Sequence, residues 1–112
     1  MNNSQLLEQL CAVIAARKQA DPSDSYVASL HAKGLNKILE KIGEEATETI
    51  LAARDSQQSG DCKELIGEVA DLWFHSLVML AYFDLDADAI LAELAARFDL
   101  SGLAEKANRD LS

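Results

Sequence analysis

Two short clusters of carboxylates give this chain its clearest capacity for chemistry. Glu44, Glu45 and Glu48 form E-E-x-x-E, and after nineteen intervening residues Glu68 and Asp71 form E-x-x-D. Side chains three apart on a helix share a face, so each cluster projects acidic oxygens in one direction. Around Glu68 and Asp71 the sequence is apolar on nearly every side, through Leu65, Ile66, Val69, Ala70, Leu72, Trp73, Phe74, Leu77 and Val78. A helix that is apolar all round is a buried one, and carboxylates within it need a partner or a metal. No Lys or Arg occurs between Lys63 and Arg97 to supply that partner locally. A hard divalent cation is the natural counter-charge, and all-oxygen ligation suits Mg²⁺, with Mn²⁺ as the alternative. Taken alone, Glu44 and Glu48 read as solvated residues opposite the apolar face of their helix.

Lys37 and Lys41 fall on nearly one line with Glu44 and Glu48, and Lys33 lies just before them. Periodicity favours ordinary Lys–Glu pairing along the helix, such as Lys37 with Glu40 or Lys41 with Glu44 or Glu45. If the carboxylates hold a metal, the same lysines stand where phosphate oxygens would need cations. His75 follows Asp71 by one turn. It reads first as a satisfied core histidine and second as a partner to a metal-bound carboxylate. Cys11 and Cys62 have neither metal-ligand spacing nor an activating neighbour, which argues against thiol catalysis. A di-iron bundle would want Glu-x-x-His pairs, which are absent. No Gly-rich phosphate loop or H-E-x-x-H motif occurs.

The elements that must position these groups are helical. Helices are expected at Ser4–Lys18 (capped by Ser4 or Asn3), Ser25–Lys33 with Gly34 as C-cap, and Leu35–Gln57. Two more follow at Cys62–Tyr82, with Asp61 as cap and Glu64 completing a capping box, and at Ala87–Phe98. Ser101-Gly102 opens a last short helical piece. Leu6, Leu7, Leu10, Val13 and Ile14 recur at helical spacing in the first helix. Leu35, Ile38, Leu39, Ile42, Ala46, Ile50 and Ala53 share one face of the third. Only a short polar loop separates the two acidic helices, so they pair antiparallel and Glu45 and Glu48 can face Glu68 and Asp71.

Composition agrees with an all-α chain. Of 112 residues 49% are apolar, mostly Leu and Ala, with a single proline, which suits one helical domain over residues 1–112 and disfavours a β-sandwich. A net charge of -9 argues against nucleic acid as a partner. Residues 65–83 approach membrane-spanning length, but Glu68 and Asp71 near a bilayer centre make a span unfavourable. With two isolated cysteines and no signal-like leader, a cytoplasmic protein is expected. The buried acidic helix needs more cover than a short chain supplies, so a symmetric homodimer is expected.

The combined pattern resembles the all-α nucleotide pyrophosphohydrolases of the MazG-like superfamily, and within it the phosphoribosyl-ATP pyrophosphatase family. The resemblance rests on Ser25-Tyr26, Leu30, Ala32-Lys33-Gly34, Lys37-Ile38, and Lys41-Ile42-Gly43-Glu44-Glu45-Ala46-Thr47-Glu48. It continues through Glu68-Val69-Ala70-Asp71-Leu72-Trp73-Phe74-His75 to Ser101-Gly102, Glu105-Lys106 and Arg109. Phe74 stands where many relatives carry tyrosine. The resemblance implies an antiparallel helical bundle completed by homodimerisation, and Mg²⁺ held by Glu45, Glu48, Glu68 and Asp71. It further implies Glu44 or Glu45 as the group that positions or deprotonates water, and Lys33, Lys37 and Lys41 as phosphate contacts. The implied reaction is hydrolysis of the α–β phosphoanhydride of phosphoribosyl-ATP, by a form lacking the cyclohydrolase to which relatives can be fused. A house-cleaning pyrophosphatase of noncanonical nucleoside triphosphates is the alternative.

Overall fold

A computed structural model of the chain describes residues 2–99, and all its regular elements there are α-helices: α1 (Asn3–Arg17), α2 (Tyr26–Lys33), α3 (Leu35–Ser59), α4 (Lys63–Tyr82) and α5 (Ala87–Arg97). The helical piece expected from Ser101 lies outside the described residues.

Local chemistry accounts for most boundaries. Asn2 rather than Asn3 or Ser4 caps α1, in a reciprocal capping box with Gln5. Ser25 caps α2 through the Ala28 N–H. Gly34 ends α2 and starts α3 at φ 98°, and Gly60 ends α3 at φ 77°, conformations that exact a steric penalty from any residue with a Cβ. Asp61 accepts from the Lys63 N–H, as expected of a capping group, but the cap position itself is Cys62 and the Glu64 half of the box does not form. Asp86 caps α5.

Only three residues link α3 to α4, which therefore pack as an antiparallel hairpin, the most extensive contact between elements in the fold. α1 lies across α2, α4 and α5, and α2 rests on α3. Ile14, Val27, Leu30, Ile38, Val78 and Ala81 form the buried core, with Leu10, Ile42, Phe74, Leu77 and Met79 packed around it. One long-range tether holds the chain's two halves: the Lys18 ammonium donates to the Ala81 carbonyl at 2.7 Å and to Asp84 Oδ1 at 2.8 Å. Lysine there satisfies a carbonyl at the negative end of α4, and its charge holds the Asp84 carboxyl below the usual range.

The apolar face expected on α3 packs along one edge only, through Ile38 and Ile42. The buried residues of α3 are Ile38, Glu45 and Ala52, a strict seven-residue series. Leu39 and Ile50, from the middle of the expected stripe, are exposed. At 100° per residue the packed seam lies about a quarter turn from the stripe's centre. Seven-residue spacing follows the line of closest approach between two long helices, and α4 takes that line along the stripe's edge. On α4 the single chain covers only part of the surface expected to be buried, and the remainder is what the expected second copy would have to cover. Ile66 and Trp73 are 68% and 65% exposed in the single chain, and Asp71 is exposed as well. α4 is long and apolar enough to cross a membrane by length and composition. Yet Glu68 on this helix points its carboxylate into a cluster with α3, which fits a soluble bundle.

Candidate metal centre

The hairpin brings the acidic clusters together. One carboxylate oxygen each from Glu45, Glu48 and Glu68 lies within 4.8 Å of the other two. Glu45 occupies the middle of the seven-residue seam and is 9% exposed, Glu68 is half-buried and Glu48 is exposed. The cluster therefore has a closed floor at Glu45 and an open side at Glu48. Glu45 Oε2 and Glu68 Oε2 are buried without a hydrogen-bond partner. Buried acceptors are nearly always paired, and two orphans side by side are costly unless something positive joins them. Three convergent carboxylates, with no sulfur or nitrogen in the set, fit a hard, oxygen-seeking cation.

Asp71 stands apart from this triple. It is exposed, and its carboxylate is outside the 4.8 Å group. Its charge still reaches the site, since it raises the proton affinity of both Glu45 and Glu68.

The like charges strain the cluster. Glu68 is pushed up to about 7, first because a proton on it is shared with Glu48, then through burial and the repulsion of Glu48, Glu45 and Asp71. Glu45 is also raised, mainly by burial and next by Asp71 and Glu48, against a small opposing pull from His75. Between the ordinary carboxyl value of 4.5 and about 7, the metal-free folded chain thus binds more protons than the unfolded one. Its stability is fully present below that window and falls as pH rises through it. Thermal melts in chelator from about pH 4 to 8 should show this loss in the wild-type chain, and Glu68→Gln should remove the Glu68 share. A wild-type profile that does not fall across the window would contradict the assignment. A cation bound at the cluster would replace the shared proton, and its apparent affinity would then climb over the same interval.

Behind the carboxylates lies a buried polar link. His75 is buried, with Nδ1 2.9 Å from the Asp71 carbonyl, Nε2 2.8 Å from the Tyr26 hydroxyl, and Nδ1 3.7 Å from Glu45 Oε1. Both ring nitrogens are satisfied, as the core reading expected, and the ring also adjoins the cluster. Tyr26 contributes a residue whose role periodicity could not supply. Its partner is 49 positions away, and the sequence marked it only as part of the Ser25-Tyr26 pair.

Of the three lysines, Lys41 is the one linked to the cluster. Lys41 pairs with Glu44 at 3.5 Å and Lys37 with Glu40 at 3.6 Å, the ordinary pairing along a helix. Lys41 is the one whose charge acts on Tyr26 and Glu45. Lys33 is exposed at the end of α2. Glu44 is exposed and faces Lys41, outside the carboxylate triple.

A family model described as phosphoribosyl-ATP pyrophosphohydrolase matches residues 7–98, which include all five helices but the first turn of α1 and every residue of the cluster.

Proposed function

The chain belongs to the phosphoribosyl-ATP pyrophosphohydrolase family, hydrolases of histidine biosynthesis that act on an acid anhydride, and from that membership we propose that its reaction depends on Mg²⁺ held by Glu45, Glu48 and Glu68, with Asp71 closing the ring. The family reaction splits the α–β phosphoanhydride of phosphoribosyl-ATP into phosphoribosyl-AMP and pyrophosphate. This activity separates the chain from the house-cleaning enzymes that share its acidic pattern.

The observation that carries the metal assignment is the pair of orphaned oxygens, Glu45 Oε2 and Glu68 Oε2, in a group of three converging carboxylates. A bound divalent cation supplies charge neutralisation at the phosphoryl oxygens and a lowered pKa for a coordinated water. The protein's own groups do the rest. Glu45, fixed in the seam, holds its carboxylate rigid beside the reacting region. Glu44 or Glu45 orients the attacking water or receives its proton. Lys41, and beyond it Lys37 and Lys33, offset polyphosphate charge on the open edge, and the Lys41–Glu44 pair must loosen as they do so. Exposed pairs of this kind are weakened by solvent and salt, so its loss is a small barrier. Pyrophosphate release from phosphoribosyl-ATP, with Mg²⁺ and with chelator, beside a panel of nucleoside triphosphates, tests the reading. Metal-dependent release confined to phosphoribosyl-ATP is expected. Full release in chelator would remove the metal.

We propose further that the active form is a cytoplasmic homodimer. The radius of gyration is 17.2 Å, against about 13 Å for a self-contained domain of this length. Trp73, Ile90, Leu91 and Leu94 line an apolar groove of about 340 Å³ between α4 and α5, and Leu39 and Ile50 leave a second apolar strip on α3. Surfaces this apolar mark an interface, and a second copy offers the same strips in return. Trp73→Glu should weaken association by about 2–4 kcal/mol, as for a central aromatic anchor. Sedimentation at micromolar concentration should find the wild type dimeric and the variant shifted to monomer. An unchanged dimer would place the interface elsewhere.

A further inference from the structure

We propose that residues 100–112 of this chain turn back on it and fill the cavity between α1 and the turn from α4 into α5. The cavity shares no residue with the carboxylate cluster, so the inference stands apart from the metal reading.

The cavity has a volume of about 590 Å³. Leu7, Ala12 and Ala15 of α1 form one wall, and Leu85, Ala87 and Leu91 form the other. Leu85 and Leu91 are each 49% exposed, so this end of the fold leaves a concave apolar surface in water. Its rim is acidic, with Glu8, Asp86 and Asp88. The cation lining it, Lys18, is already spent on the Ala81 carbonyl and Asp84. An occupant that fits brings apolar side chains with a cation beside them. A second copy of the chain is the poorer choice, because across a two-fold axis an acidic rim would meet its own kind.

The chain beyond α5 has the required pattern. Leu100, Leu103, Ala104, Ala107 and Leu111 recur at helical spacing and fall within about 100° of one helix face. Lys106 borders that face. The segment also starts in the right place. Asp99 follows the α5 cap at φ 51°, the left-handed conformation in which a chain leaves its helix axis. Ala107 and Leu111 lie as far beyond Asp99 as Leu91 and Ala87 lie before it. A helix returning antiparallel along α5 would bring each level with its counterpart, and both counterparts line the cavity. From Asp99 back to Ala87 is about 18 Å of helix, and residues 100–112 span about 20 Å as one. The groove on the other flank of α5, lined by Trp73 and Leu94, stays free for a second copy.

Cys11 lines the cavity and is half-buried, which makes it the reporter. The experiment uses the full chain with Cys62→Ser, which leaves Cys11 as the one thiol. Modification of Cys11 by an aromatic disulfide reagent should quicken at least about tenfold when Leu103→Ser and Leu111→Ser are added, since a segment seated about nine-tenths of the time leaves the thiol open for the rest. The gain should be the same at low and high protein concentration, and with or without phosphoribosyl-ATP. In the Cys62→Ser chain, Ala107→Cys or Leu111→Cys should form a disulfide with Cys11 in oxidised glutathione, read on a non-reducing gel as a link within one chain. Such a bond needs Cα atoms within about 7 Å. Glu105→Cys, on the opposite face of the segment, should not form it. Equal labelling rates, no disulfide at either position, or one formed as readily by Glu105→Cys would each overturn the proposal. Protection of Cys11 that grows with protein concentration, or a disulfide between two chains, would overturn it by giving the cavity to a second copy. Protection that requires phosphoribosyl-ATP would overturn it by giving the cavity to the substrate. Each disulfide variant changes a single residue of the stripe, so the question is decided even where the double serine variant fails to fold.

Discussion

Glu68→Gln should lower pyrophosphate release from phosphoribosyl-ATP at least about a hundredfold while the chain stays folded. The substitution is nearly isosteric, so packing is kept. It removes one of three converging negative charges, and with it part of the charge that would hold a cation whose contribution to the barrier is several kcal/mol. At about 1.4 kcal/mol per factor of ten, two orders of magnitude is the lower bound of that range. Glu45→Gln should act at least as strongly, since Glu45 is the buried floor of the cluster. Asp71→Asn should act less, because Asp71 is exposed and lies outside the triple. In chelator the ranking of stability reverses. The wild-type cluster repels itself, so Glu68→Gln should melt at or above the wild-type temperature near neutral pH. Activity assays and melts on the same preparations check both halves. Turnover by Glu68→Gln near the wild-type rate in Mg²⁺ would mean that the acidic face is a solvated surface with no part in the reaction.

Ile38→Ala should destabilise the fold by about 2–5 kcal/mol, the range for deleting a buried aliphatic side chain and leaving a cavity. Ile38 is 0% exposed and, among the described residues, belongs to a cluster of six buried side chains, so its loss leaves a cavity in a small core. Against a total of about 5–15 kcal/mol for a domain, this is a large fraction. Ile38 also precedes Glu45 by one seven-residue step in the α3 seam, so its loss should weaken metal binding along with the fold. Ile50→Ala makes the contrast. At 65% exposed in the single chain, Ile50 contributes little to the folding of one copy. If a second copy covers it, its cost appears as a melting temperature that depends on protein concentration. Denaturant titrations of both variants at two concentrations separate the effects, and equal penalties would contradict the assignment of Ile38 to the core and Ile50 to the surface.

The helices and their pairing were readable because they rest on local signals. Ser25, Gly34, Gly60 and Asp86 sit where caps and breaks are needed, and α2 through α5 begin and end within two residues of the expected places. The meeting of Glu45 and Glu48 with Glu68 follows from two three-residue spacings and one short loop. What escaped was rotation. Periodicity turns the centre of the α3 stripe toward the core, but neighbouring elements compete for an amphipathic helix, and the sequence does not say which takes the centre. Apolar neighbours surround Asp71 on α4, yet in the single chain it is exposed, because sequence alone does not say what covers that helix. The Lys18 tether to Ala81 and Asp84 and the Tyr26–His75 bond join residues 49 to 66 apart. No period in the sequence encodes contacts of that reach.

The three residues between α3 and α4 also bear on folding kinetics. All three members of the carboxylate triple lie on one helical hairpin, residues 35–82, so the site has a low contact order and needs neither α1 nor α5 to bring its parts together. Loop closure is cheap over so short a link, and what opposes it is the mutual repulsion of Glu45, Glu48 and Glu68. If the triple holds a divalent cation as proposed, that cation would cancel the repulsion as the hairpin closes, and folding would quicken with its concentration. On that reading the acidic residues proposed to serve the reaction would also slow the pairing of α3 with α4 whenever the metal is absent.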